Sequence, residues 1–140
     1  MNLIFAKLFE KYLSKNHPAE FTITLLISFF YFVIFCFFFI PINEYISKKY
    51  FDNERFLQKG QLIFLISAVY IIILTFVYIK YIRKKFIYEL KNKFKDRKIS
   101  NIFLNTFLIL FFPTVLILSG ILTVILVGGK ILGLQFNGLL

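Results

Sequence analysis

Few side chains of this 140-residue sequence have the chemistry of a catalytic or metal-binding group. There is one histidine, His17, and one cysteine, Cys36, whereas a metal site needs several convergent ligands. Acid–base catalysis usually needs a positioned pair of titratable groups, and the best candidates are Glu44, Asp52 and Glu54. These carboxylates alternate with Lys and Arg, which is typical of a solvated loop. The sequence therefore predicts no catalytic residue, no metal or cofactor, and no enzyme activity.

Three long stretches without a charged residue dominate the chain, at 21–42, 61–79 and 99–129. Each is long enough to cross about 30 Å of hydrocarbon as an α-helix. Hydrophobic residues make up 59% of the chain, too many for a soluble core of this size to hide. We therefore predict an all-α integral membrane protein, a single membrane domain over residues 1–140, with spans at about 21–42, 61–79 and 107–127.

The same stretches restrict the function. Proton pumps, cation carriers and voltage sensors place ionisable groups inside the membrane, and none of these stretches contains one. A single copy is therefore not expected to perform any of these functions. A pore built from several copies and lined by hydroxyl groups and backbone stays open as an alternative.

Two polar segments flank the spans. Residues 1–20 predict an amphipathic helix, with apolar side chains at three- and four-residue spacing and lysines on another face. It is expected to lie in the membrane interface, or else to pack on a partner protein. Residues 80–98 keep helical spacing and predict a basic extension of the second span, either lipid-facing or a docking surface. Its basic residues are Lys80, Arg83, Lys84, Lys85, Lys91, Lys93, Lys95, Arg97 and Lys98.

The charge distribution predicts an orientation. With three spans, the N-terminal segment and the 80–98 segment share one side and hold 12 Lys and Arg residues, against five on the other side. The positive-inside rule then places the N-terminus in the cytoplasm and the C-terminus outside. A bacterial-type inner membrane is expected, with an organelle inner membrane as the alternative.

The third span has small residues at helical spacing. Ser119 and Thr123 are four residues apart, and Gly120 and Gly128 lie near the same face. Helices in lipid associate where small side chains allow close backbone approach, so these four residues are candidates for helix packing. Packing within the chain and contact with another protein are both compatible with this pattern. We expect substitution of Gly120 by Leu to disturb the packing of the third helix.

Two functional hypotheses follow from these features. The first is a non-catalytic protein that contacts another membrane protein, as an accessory subunit or an immunity-type inhibitor of a membrane toxin. The layout resembles the three-span immunity proteins of pore-forming colicins in its short chain, inside N-terminus and basic loop between the second and third spans. This resemblance covers architecture alone, without a shared motif. The alternative is a holin-like or effector protein that oligomerises and permeabilises the membrane. The expected partners are the lipid bilayer and a second membrane protein, with no nucleic acid and with homo-oligomers as a further option.

Overall fold

The computed structural model of the protein describes residues 1–15, 18–51, 56–131 and 134–139. It is mostly helical, and three helical segments are long and apolar enough to cross a membrane: Ala19–Tyr50, Lys59–Arg83 and Asn101–Val127. The prediction of a helical, multi-pass membrane protein is confirmed at this level. The elements in chain order are α1 (Asn2–Leu13), α2 (Ala19–Tyr50), α3 (Lys59–Val77), a π-helix (Tyr78–Arg83), α4 (Phe86–Lys93), α5 (Asn101–Val127), β1 (Gly129–Ile131) and β2 (Leu134–Phe136).

Helix α2 is longer than the predicted first span. The first span is predicted to end at about residue 42, but the helix continues through the buried Pro41 to Tyr50. Proline has no N–H group, so the carbonyl of Phe37, four residues earlier, loses its usual helical donor. Proline removes only one backbone bond, and neighbouring groups can satisfy the carbonyl that is left free. The helix can therefore continue past Pro41.

The basic segment after the second span is predicted to continue that span as a helix, but in the structure it is not one continuous helix. Helix α3 passes into the π-helix, whose wider turn is closed by the bond from Lys84 N–H to the Ile79 carbonyl, at 3.1 Å. Lys85 then adopts a left-handed conformation, with φ of 54°, and α4 begins at Phe86. The left-handed residue interrupts the helical path, so the extension forms two separate helical pieces.

Residues 1–32 and 68–109 form one compact unit, called here the first unit. Its core is aromatic and aliphatic, and it lies between α1 and α4 and the adjoining parts of the longer helices. The ring of Phe5 meets Phe30 edge to face at 5.7 Å between centroids, and Phe9 meets Tyr88 in the same way at 5.0 Å. Phe5 and Phe9 are at most 2% exposed. Edge-to-face pairs of this kind contribute roughly 0.5–1.5 kcal/mol beyond simple burial.

Residues 33–67 and 110–140 form the second unit, of which 33–51, 56–67, 110–131 and 134–139 are described. Helix α5 ends at Val127, where Gly128 has φ of 89°, and an antiparallel hairpin follows in which Lys130 pairs with Gln135. An all-α chain was predicted, and this short hairpin is a departure from that prediction in the tail. Gly128 lets the chain turn away at the end of the helix, and the tail returns to the last turn of α5, where Leu139 bonds the Leu126 carbonyl.

The last carbonyl groups of α5 have identifiable partners. Gly128 N–H donates to the Val124 carbonyl at 2.8 Å, and Leu139 N–H donates to the Leu126 carbonyl at 3.1 Å. The ammonium group of Lys48 donates to the Val127 carbonyl. Helix ends leave such carbonyls without intrahelical partners, and a hydrocarbon environment supplies no water to replace them. The hairpin and Lys48 therefore serve as the C-terminal cap of the third span.

Candidate functional site

The small residues of the third span have different environments. Ser119 is 6% exposed, and its hydroxyl donates to the Phe37 carbonyl of α2 at 3.4 Å. This is the carbonyl that Pro41 leaves without a helical donor. Thr123 donates to the Ser119 carbonyl at 2.9 Å and is half-buried. The Ser119 side of α5 thus contacts the chain's own second helix.

Gly120 lies on an open part of α5. A Cβ built at Gly120 has no described atom within 4 Å, and the residue is exposed. A Cβ at Gly120 meets no described atom of the chain, so the expected effect of Gly120→Leu on the packing of the third helix stays a prediction for contacts outside the chain. Gly120 lies on the open side of α5, whereas its sequence neighbour Ser119 bonds to α2. Gly120 is available for contact with lipid or with another protein.

Gly128 allows a backbone turn after α5 and is not part of a helix-packing surface. With φ of 89°, it occupies the left-handed region that glycine adopts without a side-chain clash. A Cβ at Gly128 would come within 3.2 Å of the carbonyl oxygens of Phe136 and Asn137, in the returning tail. Its spacing from Gly120 suggested a shared packing face, but its role in the described structure is the turn that follows α5.

Four threonine hydroxyl groups in the spans are bonded to their own helices. Threonine side chains donate to the carbonyl four residues earlier at 2.7–2.9 Å in each of the three spans. This bond satisfies the hydroxyl locally, as is common for Ser and Thr in helices. These hydroxyls are therefore less available as the lining of a polar pore. The bonds join Thr24 to Glu20, Thr75 to Ile71, Thr114 to Leu110 and Thr123 to Ser119.

The second and third spans present large apolar surfaces. Buried residues make up 6% of the most apolar stretch of each, against 28% for the first span. Large side chains on these helices reach high exposure, such as Phe64 at 77% and Ile109 at 70%. Neither span contains a charged side chain over 61–79 or 99–129. These surfaces suit lipid or the apolar face of another membrane protein.

The N-terminal helix is present, but its apolar face is buried inside the first unit. Phe5, Ala6, Leu8 and Phe9 are the buried residues of α1, and α1 packs on α4, whose Ile87 and Leu90 are also buried. This face therefore contacts the chain's own helix, and not lipid or a separate protein. Its location at the membrane interface stays a prediction.

The lysines of α1 also bond to other segments of the first unit. Lys7 forms an ion pair with Glu10 at 2.8 Å and donates to the Lys95 carbonyl at 3.3 Å. Lys11 donates to the side-chain carbonyl of Asn105 at 3.0 Å. These bonds connect α1 to the end of the basic segment and to the first turn of α5. Sequence periodicity showed the lysine face but carried no signal of what it touches.

The predicted basic surface is mostly exposed. Lys80 and Lys91 are half-buried, and the other seven residues are exposed, in agreement with a surface that faces solvent or lipid headgroups. These residues are Arg83, Lys84, Lys85, Lys93, Lys95, Arg97 and Lys98. The π-helix and the break at Lys85 divide them between two helical pieces, so they do not form one stripe on a continuous helix.

Two tyrosine contacts in the first unit were not anticipated from the sequence. The hydroxyls of Tyr31 and Tyr81 lie 3.2 Å apart, and Tyr81 is 1% exposed. The Tyr88 hydroxyl donates to a carboxylate oxygen of Glu20, near the start of α2. This hydrogen bond is the main cause that raises the pKa of Tyr88. The partners are 50 and 68 residues apart, beyond the range of any local sequence pattern.

No group of three or more His, Cys, Asp or Glu side chains lies close enough to share a metal ion among the described residues. His17, Asp52 and Glu54, considered above for chemistry, lie outside the described residues. Cys36, on α2, is half-buried with a free thiol. No family model, curated protein or solved structure matches this chain.

Proposed function

We propose that this chain is a non-catalytic membrane protein that acts by contacting another membrane protein in the bilayer. It serves as an accessory subunit of a membrane complex or as an immunity-type inhibitor of a membrane toxin. The observation that carries this proposal is the exposed, uncharged surface of the second and third spans. In the most apolar stretch of each of these spans, only 6% of the residues are buried. Such a surface recognises a partner by packing, because it has no charged side chain over 61–79 or 99–129 to bind an ionic solute.

The contact on the third span is centred on Gly120. The open space around this glycine allows the backbone of a partner helix to approach closely. The exposed side chains of Leu116 and Ile117, at 65% and 64% exposure, flank it. A partner helix of matching apolar shape gains van der Waals contacts there that disordered lipid chains make less closely.

The proposed location is a bacterial-type inner membrane, with the N-terminus in the cytoplasm and the C-terminus outside. The 12 to five distribution of Lys and Arg between the two sides supports this orientation. The α1–α4 pair then lies on the cytoplasmic side, where its exposed lysines face anionic lipid.

The test is purification of the tagged chain from its native membrane in a mild detergent, followed by mass measurement of the intact complex. The expected result is one different membrane protein at fixed stoichiometry, crosslinked through a cysteine placed at Ile117 in a Cys36→Ser background. The control is a cysteine at Lys93, an exposed residue of α4 that lies outside the spans. A large complex that contains only this chain would overturn the proposal and favour the membrane-permeabilising alternative.

A further inference from the structure

A pocket with both apolar and charged walls lies in the first unit, where the second span meets the basic segment. Its volume is about 530 Å³. The residues that line it come from the end of α3, the π-helix, the turn after it and the start of α4: Phe76, Ile79, Lys80, Lys84, Phe86 and Glu89. All of them lie within 14 consecutive positions, and none is part of the Gly120 surface.

The lining residues change in polarity along the chain. Phe76 and Ile79 end an uncharged stretch, 61–79, whose length matches about 30 Å of hydrocarbon. Lys80 follows directly, and Lys84 lies about one turn further on. If the span crosses the membrane as proposed, the apolar wall lies at the level of the acyl chains and the two ammonium groups lie at the level of the phosphates. This is the order of groups in a phospholipid.

The ammonium group of Lys80 is held by aromatic rings. It lies 5.6 Å from the ring centroid of Phe76 and 5.8 Å from that of Phe86, within the range of cation–π attraction. The ion pair found in the part of the chain that the structure describes is elsewhere, between Lys7 and Glu10. Ring faces orient a cation but accept no strong hydrogen bond, so the N–H donors of Lys80 stay available for a phosphate oxygen.

The backbone departs from ordinary helix at this pocket. The π-helix occupies Tyr78–Arg83, and Lys85 has φ of 54°, a conformation that residues other than glycine, asparagine and aspartate seldom adopt. π-helical turns and strained residues occur often at functional sites. Here the two departures bring Phe86 and Glu89 of α4 to the same pocket as Phe76 and Lys80.

We infer that this pocket binds one molecule of an anionic phospholipid of the phosphatidylglycerol class. Lys80 and Lys84 against Glu89 leave one net positive charge, which the single negative charge of this headgroup neutralises. The phosphate contacts the two lysines, the glycerol hydroxyls donate to the Glu89 carboxylate, and the acyl chains follow Phe76 and Ile79. Basic pockets at the cytoplasmic ends of membrane helices are known to recognise anionic headgroups. A choline or ethanolamine headgroup would add a positive charge and leave the pocket unneutralised.

The test is native mass spectrometry of the full-length protein in detergent. Phosphatidylglycerol, phosphatidylethanolamine and phosphatidylcholine with identical acyl chains are titrated separately. The expected result is one tightly retained phosphatidylglycerol per chain, and a double K80Q/K84Q variant that binds it roughly tenfold or more weakly. The matched control is K93Q/K95Q, which removes the same charge from exposed lysines outside the pocket and is expected to keep the affinity. Lys84 is exposed, so K84Q alone is a second variant that retains the fold and still weakens binding.

Three outcomes would overturn the inference. An equal loss in K80Q/K84Q and K93Q/K95Q would show diffuse attraction to the basic segment. Preference for phosphatidylethanolamine, lost in E89Q, would show recognition of a zwitterionic headgroup. Displacement of the lipid by inorganic phosphate would show a free-anion site that ignores the acyl chains. All three readouts are independent of the partner protein proposed above.

Discussion

The hydroxyl of Ser119 on α5 donates to the backbone carbonyl of Phe37 on α2, at 3.4 Å. That carbonyl lies four residues before Pro41, which has no N–H group to offer it. A serine of the third span therefore compensates for a proline of the first. In a hydrocarbon environment such a carbonyl has no water to bond. The Ser119 hydroxyl takes the place of the missing backbone N–H, and this lets α2 continue past the proline to Tyr50.

This relationship predicts that the effects of changing Ser119 and Pro41 are coupled. Ser119→Ala is expected to lower the free energy of unfolding by about 1 kcal/mol, since it removes the hydroxyl that donates to the Phe37 carbonyl. In a Pro41→Ala background the loss should be smaller, because the introduced alanine supplies the missing N–H donor. Unfolding of the four proteins in mixed detergent micelles, followed by circular dichroism, measures the coupling. Equal losses in both backgrounds would show that Ser119 does not serve the Phe37 carbonyl.

Gly120 gives a test of contact outside the chain. Gly120→Leu is expected to leave the thermal stability of the isolated protein within about 0.5 kcal/mol of the wild type, because no described atom lies near its Cβ. It should nevertheless abolish the complex with the partner protein. Gly60→Leu, at the start of α3, is the matched control, since Gly60 also has open space around it. Loss of stability in the isolated Gly120→Leu protein, or the same loss of complex in both variants, would contradict the assignment of Gly120 to a partner.

The bond between Tyr88 and Glu20 predicts a pH dependence. The hydrogen bond to the carboxylate, with burial and the negative charge as smaller causes, raises the pKa of Tyr88 in the folded protein. The stabilisation that this hydrogen bond gives the folded protein is fully present below the pKa of tyrosine in the unfolded chain, about 10. It is lost as the pH rises through the higher pKa of Tyr88 in the folded protein.

The difference in unfolding free energy between the wild type and Tyr88→Phe should therefore be constant from about pH 7 to 9 and shrink above about pH 10. Chemical unfolding at a series of pH values measures it. In a Glu20→Gln background the same difference should depend less on pH. A difference that grows at alkaline pH would refute the proposed role of this bond.

Lys48 caps the third span from another helix. Replacing it by Met keeps the length of the side chain but removes the donor to the Val127 carbonyl and a positive charge at the C-terminal end of α5. We expect Lys48→Met to destabilise the protein by about 0.5–1 kcal/mol, a typical value for an exposed cation at a helix C-terminus. Lys49→Met is the control, because Lys49 bonds Tyr45 of its own helix. Equal effects of the two substitutions on thermal stability would argue against the cap.

The orientation depends on the basic segment. Reversal of charge at Lys84, Lys85 and Lys91 is expected to weaken the preference for a cytoplasmic N-terminus, because the positive-inside rule acts most strongly on short loops beside spans. Single cysteines at Lys15 and Asn137, labelled from one side of the membrane, report the orientation. Reversal at Lys48, Lys49 and Lys59, on the opposite side, should instead strengthen the preference. An unchanged orientation in the first variant would count against the charge argument.

The sequence by itself determined the class of this protein and the approximate places of its three spans. Uncharged apolar runs have the length that a bilayer needs, and this is a local property of the chain. Pro18 and Gly128 likewise mark the ends of helices through their own backbone preferences, and α2 begins at Ala19 while α5 ends at Val127. Pro41 shows the limit of this reasoning, since a proline with the same local preference lies inside α2 without ending it.

Only the tertiary structure decided what each helix face touches. Periodicity indicated an apolar face on α1, but its burial against α4 depends on a segment that is distant along the chain. Ser119 and Gly120 are neighbours in sequence, yet one bonds to α2 and the other faces outward. The Lys48 cap and the Tyr88–Glu20 bond are also set by distant partners. The physical reason is that helix formation is governed by local hydrogen bonds and hydropathy, whereas the choice of partner depends on how the helices pack.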